Sequence, residues 1–168
     1  MIKRPWDPEN KYLYGLLKSY ENWVLEINYK QHTLGAYAIF CKRGIREFSR
    51  INKAEASELT TVMSEMERAL CLHNAFSPSK FDYFHIGGGK ENLCIDGIPR
   101  YKFPRDFAGI LWVDRAWDES PELVIEDSPD QIILAIRNEL AVTLEEAVAN
   151  MGEERCSPLR LVSRRDGR

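Results

Sequence analysis

The chain has 168 residues, of which 44% are hydrophobic and 29% charged, a length and balance that suit one globular domain with a core of its own. A net charge of −3 supplies no basic field to hold nucleic acid non-specifically. No stretch approaches the roughly 18 apolar residues that a membrane-spanning helix needs, so neither nucleic acid nor a membrane is an expected partner.

Met1 to Trp6 runs through charges and a proline instead of the apolar stretch of a signal peptide. The four cysteines, Cys41, Cys71, Cys94 and Cys156, form no CxxC pair and match no zinc-ligand spacing. The expectation is a reduced, cytoplasmic protein with no metal and no cofactor.

Residues 11–20 read as a short helix interrupted by Gly15, the end of an N-terminal helical segment over 1–21. Trp23, Leu25, Ile27 and Tyr29 alternate, which is strand periodicity. Thr33-Leu34-Gly35 makes a turn, and Ala36 to Cys41, apolar on both faces, predicts a central strand. Asn52 followed by Glu55 is a capping box that opens a helix. Its apolar face is Leu59, Val62, Met63, Met66, Ala69 and Leu70.

Ser77-Pro78-Ser79 breaks the chain. Phe81 to Ile86 and Leu93 to Ile98 then read as an antiparallel hairpin about Gly87-Gly88-Gly89-Lys90. Pro99, Pro104 and the aromatic run to Trp117 are read as irregular, apart from a short edge strand over 110–113. A last helix takes Ser128 as its cap, Pro129 at its first position and Gln131 at the capping-box position. Its stripe runs from Ile132 to Met151 and Gly152 stops it. The five arginines of 153–168 mark a loosely ordered tail.

Several short pieces carry more than periodicity. In order they are Asn22-Trp23, Leu34-Gly35, Cys41-Lys42-Arg43, Asn52 to Glu55, Gly87-Gly88, Ile98-Pro99-Arg100-Tyr101 and Phe107-Ala108-Gly109. Over 22–113 this succession resembles the histidine-triad (HIT) superfamily. The resemblance implies an α+β fold, with an antiparallel sheet of about five strands and a long helix packed on it. The helix of segment 114–152 is added to that HIT-like core. It also implies a homodimer, with which the apolar strand 36–41 is compatible.

The chain departs from the family at its chemical centre. Anchored on Pro99-Arg100, the three histidine positions fall on Asn92, Cys94 and Asp96, and the histidine of the Lys-Arg-His stretch falls on Gly44. His32, His73 and His85 lie at no motif position. The strand period of two still sets Asn92, Cys94 and Asp96 on one face, but an amide, a thiol and a carboxylate cannot together supply a neutral nucleophile and a proton carrier near neutral pH.

The expected protein is therefore HIT-like, without nucleotide hydrolase or transferase activity. It is a nucleotide or small-ligand binder or a dimeric interaction protein. The alternative is a hydrolase or transferase with altered chemistry that uses Cys94 or Asp96. Candidate ligand contacts are Asn92, Cys94, Asp96, Gly88, Lys42, Arg43 and Arg100, the cations being natural phosphate partners. His85 with Asn92 and Asp96 makes a poor metal set; a hydrogen bond at the sheet edge suits His85 better.

Overall fold

The computed structural model describes residues 14–85 and 92–150. Its frame is a five-stranded antiparallel sheet in the order β1-β2-β3-β5-β4, with β1 Leu16–Ser19, β2 Trp23–Ile27, β3 Tyr37–Cys41, β4 Lys80–Phe84 and β5 Cys94–Arg100. The apolar reading of the second strand holds: β3 sits in the middle and is buried along its whole length. Gly35 makes the preceding turn at φ 78, with its N–H donating to the Gln31 side chain at 2.8 Å. A Cβ there would meet Leu70 at 3.0 Å and Phe76 at 3.1 Å, so glycine is needed for both conformation and space.

The helix α1 spans Lys53–Leu72 and opens with the expected capping box, in which the Asn52 side chain accepts the Glu55 N–H and the Glu55 carboxylate accepts the Asn52 N–H, both at 2.9 Å. Val62, Met66, Ala69 and Leu70 are buried in one core with Trp23, Leu25, Ile27, Ile39, Leu93 and Ile95. The second long helix, α2, spans Asp130–Ala149. Ile132, Ile133, Ile136, Leu140 and Leu144 bury its stripe in that same core, so both helices cover one face of the sheet. Met151, Gly152 and the tail lie outside the described residues.

Four expectations need correction. The stretch read as a helix over 11–20 holds a strand, β1, paired to β2 from Leu16↔Glu26 to Ser19↔Val24; residues 11–13 lie outside the described range. An isolated helix that short is marginal, whereas the open edge of β2 offers a ladder. At Gly15 the two backbones meet so closely that a Cβ would lie 2.8 Å from the Ile27 carbonyl.

Ser128 does not cap α2. Its N–H donates to the Tyr29 carbonyl at 2.7 Å, and Pro129 takes the cap position without a side-chain hydrogen bond. Pro99 lies inside β5 and is not irregular. It is paired with Phe81 past the Tyr37↔Gly97 pair, before β3 begins, so its missing N–H breaks no ladder on that side. The short strand near 110 does not edge the main sheet. As β7 (Ile110–Trp112) it pairs with β6 (Arg105–Phe107) in a separate hairpin, through Ala108 at φ 53 and Gly109 at φ 73. The glycine turn of 87–90 lies outside the described residues.

Tyr37 crosses from β3 onto Gly97 of β5, its registered partner, and a Cβ at Gly97 would stand 2.3 Å from the ring. Gly97→Ala should therefore cost about 1–3 kcal/mol, as overpacking of a filled core does. Urea melts read this, and in a Tyr37→Ala background the penalty should largely vanish.

Candidate functional site

Strand alternation divides β5 between two environments. Leu93 and Ile95 join the core beneath the helices, while Cys94 joins Val24, Ala38 and Phe40 in a second cluster on the opposite face. The register extends that face in rows. Cys94 stands beside Phe40, which stands beside Val24; Asp96 stands beside Ala38, which stands beside Glu26. Asn92, Cys94 and Asp96 thus share one surface, as the period of two requires. They are closed off on it, however, with exposures of 8%, 2% and 5%.

Each of the three has bonds within the chain. Asn92 donates its amide to the Cys41 carbonyl at 2.6 Å and to that of Lys42 at 3.3 Å, clamping the start of β5 to the end of β3. Asp96 accepts from the Asn28 amide at 3.0 Å, and the Cys94 thiol lies 3.9 Å from the same carboxylate oxygen. His85 donates Nδ1–H to the backbone carbonyl of Cys94 at 2.9 Å, with its ring edge-on to Phe48 at 5.1 Å. It therefore serves the strand end.

The cations named as phosphate partners are held elsewhere. Arg43 reaches away to α1, giving Nε to Glu55 at 2.6 Å, and Nη2 to Glu55 at 2.8 Å and the Arg50 carbonyl at 2.6 Å. The Arg43 guanidinium holds the Glu55 carboxyl down to about 2, against its burial and with help from the Asn52 N–H. Arg100 lies on the same face as Asp96 but is fully buried. It grips Asp114 at 2.7 and 3.1 Å, the Glu119 carbonyl at 3.0 Å, the Ala116 carbonyl and Asp82. Lys42 donates to the Tyr20 carbonyl. Gly44, the fourth histidine position, is exposed with nothing within 4 Å of a Cβ, and Gly88 lies outside the described residues.

Sequence reasoning missed Glu26 and Asn28, although the alternation that placed Leu25 and Ile27 on the core side also set those two on the Asp96 side. It had no signal for Asp82, Asp114 or the 114–119 carbonyls, because loop closure over Arg100 leaves no periodic trace. Among the described residues, no group of three or more His, Cys, Asp or Glu side chains is placed to hold a metal ion. No described helix is long and apolar enough to cross a membrane.

Comparison with known proteins places this geometry. No protein-family model matches the chain, and no curated protein matches it by sequence. Solved structures do match. A hypothetical histidine triad nucleotide-binding protein from Sulfolobus tokodaii superposes with a TM-score of 0.61 at 13% identity, over 84% of this chain and 91% of the other. A HIT-like protein involved in cell-cycle regulation from Bartonella henselae gives 0.56 at 11% identity, over 77% and 85%. A histidine triad protein from Marinobacter aquaeolei gives 0.55 at 16% identity, over 79% and 89%. The chain has the HIT-like α+β fold, as its short motifs implied.

Two outcomes follow from this geometry. With Ellman's reagent on native protein, Cys94→Ala should leave the set of fast-reacting thiols unchanged, while Cys71→Ala removes one, because Cys71 is exposed and Cys94 is not. Loss of a fast thiol in Cys94→Ala would mean that the face opens. The Glu55 carboxyl lies lower in the folded chain than when unfolded, so its contribution is complete above about 4.5 and is lost as the pH falls towards 2. Denaturant midpoints across that range should fall more steeply for the native sequence than for Glu55→Gln.

Proposed function

We propose that this protein is a HIT-like scaffold without nucleotidyl chemistry, acting by association with a macromolecule and not by turnover of a nucleotide. One observation carries the reading. Asn92, Cys94 and Asp96, where the family resemblance sets its histidines, are each more than nine-tenths buried and bonded to their own chain.

A nucleotidyl-transfer site needs a nucleophile that can reach phosphorus and a group to carry the leaving-group proton. A thiol beneath a closed face beside a carboxylate meets neither need. A phosphate also needs free cations or amides, and Arg43, Arg100 and Lys42 already serve internal acceptors. The buried thiols Cys41 and Cys94 fit a reducing, cytoplasmic setting.

The test pairs binding with turnover. Titration calorimetry with AMP, ATP and diadenosine tetraphosphate should give no heat of binding at millimolar ligand. Hydrolysis of an adenosine phosphoramidate and of the dinucleotide should be no faster than in buffer, for the native chain and Cys94→Ala alike. Turnover that Cys94→Ala abolishes would establish the alternative, a hydrolase of altered chemistry. Tight nucleotide binding without turnover would replace the macromolecular partner with a nucleotide.

A further inference from the structure

The hairpin of β6 and β7 forms a sheet of its own, and its two faces differ. Inward, Arg105 donates to the Ser77 carbonyl at 2.6 Å, Phe107 lies against Phe76 at 5.1 Å, and Trp112 packs on the core. Outward, the registered pair Asp106 and Leu111 faces solvent, and strand alternation adds Val113 to it. Leu111 is 66% exposed and Val113 52%. Arg115, two residues further on, is exposed too and forms no ion pair among the described residues.

The turn fixes where the backbone groups point. Ala108 and Gly109 both hold positive φ, 53 and 73, which makes the two-residue turn that matches the twist of its strands. Phe107 and Ile110, which flank it, are then the pair that exchanges hydrogen bonds. Asp106 and Leu111 come next and exchange none, so the Leu111 N–H and C=O point away from β6. Val113 repeats that orientation. Neither residue's backbone groups meet a partner among the described residues.

Open edges of this kind are ordinarily protected by bulges, charges or proline. In the main sheet β1 is bulged between Leu16 and Lys18, and β4 carries Lys80 and Asp82. The β7 run Ile110-Leu111-Trp112-Val113 has none of these devices.

We propose that the outer edge of β7 receives an extended segment of another protein, which adds to the hairpin as a third strand. The inference rests on reading the chain as an association scaffold, and it names the surface and the chemistry of the partner. Opposite Leu111 and Val113 the incoming strand sets apolar side chains at alternate positions, both on the outward face. Charge gives the direction. Arg115 attracts a carboxylate at the next alternate position beyond Val113, while Asp106, beside Leu111, repels one at that end. An antiparallel segment therefore reads acid, any residue, apolar, any residue, apolar. A second copy does not meet this pattern. With its own β7 laid antiparallel so that Leu111 faces Val113, Gly109 falls opposite Arg115.

Fluorescence anisotropy tests this with a labelled peptide, Ser-Thr-Glu-Thr-Val-Thr-Val-Thr-Ser, added to the full chain. The native chain should bind it. N-methylation of both valines, whose N–H groups face β7, should weaken binding about tenfold. N-methylation of the threonine between them, whose N–H points away, should not. Leu111→Pro deletes an outward N–H that the hairpin does not use, and should weaken binding to a similar degree. Arg115→Glu should weaken it as well, and a peptide with lysine in place of glutamate should restore it.

No binding by the native chain overturns the proposal, as does binding indifferent to which N–H is methylated. A native dimer that Leu111→Pro dissociates overturns it by giving the edge to a second copy. Binding to phosphatidylserine vesicles that Leu111→Ser/Val113→Ser abolishes, with no binding of the peptide, overturns it by giving the apolar face to a lipid surface. If thermal melts show that Leu111→Pro unfolds the chain, Leu111→Ser and the methylated peptides, which leave the native chain untouched, carry the comparison. Phosphoramidate hydrolysis on the same samples separates the two readings. Turnover overturns the non-catalytic reading alone, and absence of peptide binding overturns the strand addition alone.

Discussion

Glu55 is 1% exposed and makes bonds to four parts of the chain. Its carboxylate takes the Asn52 N–H and two Arg43 N–H groups, the Cys41 thiol lies 3.9 Å away, and its backbone carbonyl accepts the Trp23 indole N–H at 2.8 Å. The residue that caps α1 thereby also fixes the start of β2 and the end of β3 beneath it. A buried charge is tolerable only when paired and fully hydrogen-bonded, and losing one partner from such a set costs about 3–5 kcal/mol. Arg43 consequently cannot leave for a ligand without stranding a carboxylate in the core. One interaction ties the helix to the sheet and commits a cation to the fold.

Arg100 repeats this logic at the other end of the sheet. It is fully buried on the Asp96 side of β5, and the chain from Asp114 to Glu119 closes over it with a carboxylate and two carbonyls, while Asp82 of β4 supplies a second carboxylate. A guanidinium's planar fork of donors suits a bidentate anion, whether phosphate or aspartate. Here Asp114 occupies that fork, and the connection leading to α2 is thereby tied to the sheet. The residue that most resembles a phosphate ligand in sequence is the one most committed to holding the fold.

How much of this was legible follows from how local each signal is. The capping box, the central position of 36–41 and the shared face of Asn92, Cys94 and Asp96 depend on spacings of two to four residues, and each was readable. The strand at Leu16–Ser19 depends on an edge that only β2 supplies, so its ten-residue neighbourhood misled. The Pro99 register depends on where a different strand stops, and the closure of the chemical face depends on contacts between residues far apart in the chain. A sequence displays which groups share a face; whether that face meets water is decided by what folds against it.

The HIT-like frame and the fate of its chemical face bear on each other. A sheet whose helices all lie on one side leaves the other face for function. In this chain that face carries Val24, Ala38, Phe40 and Cys94, an apolar cluster with two carboxylates in the next row. An anionic ligand would there have to displace buried apolar surface and approach Asp96 and Glu26, both unfavourable steps. Exposed charge of one sign gathers instead beyond the two ends of the strands, acidic over 118–130 and basic over 42–53. Binding is favoured where charge and exposed apolar groups coincide, and in this molecule they coincide at the ends of the sheet and not on its face.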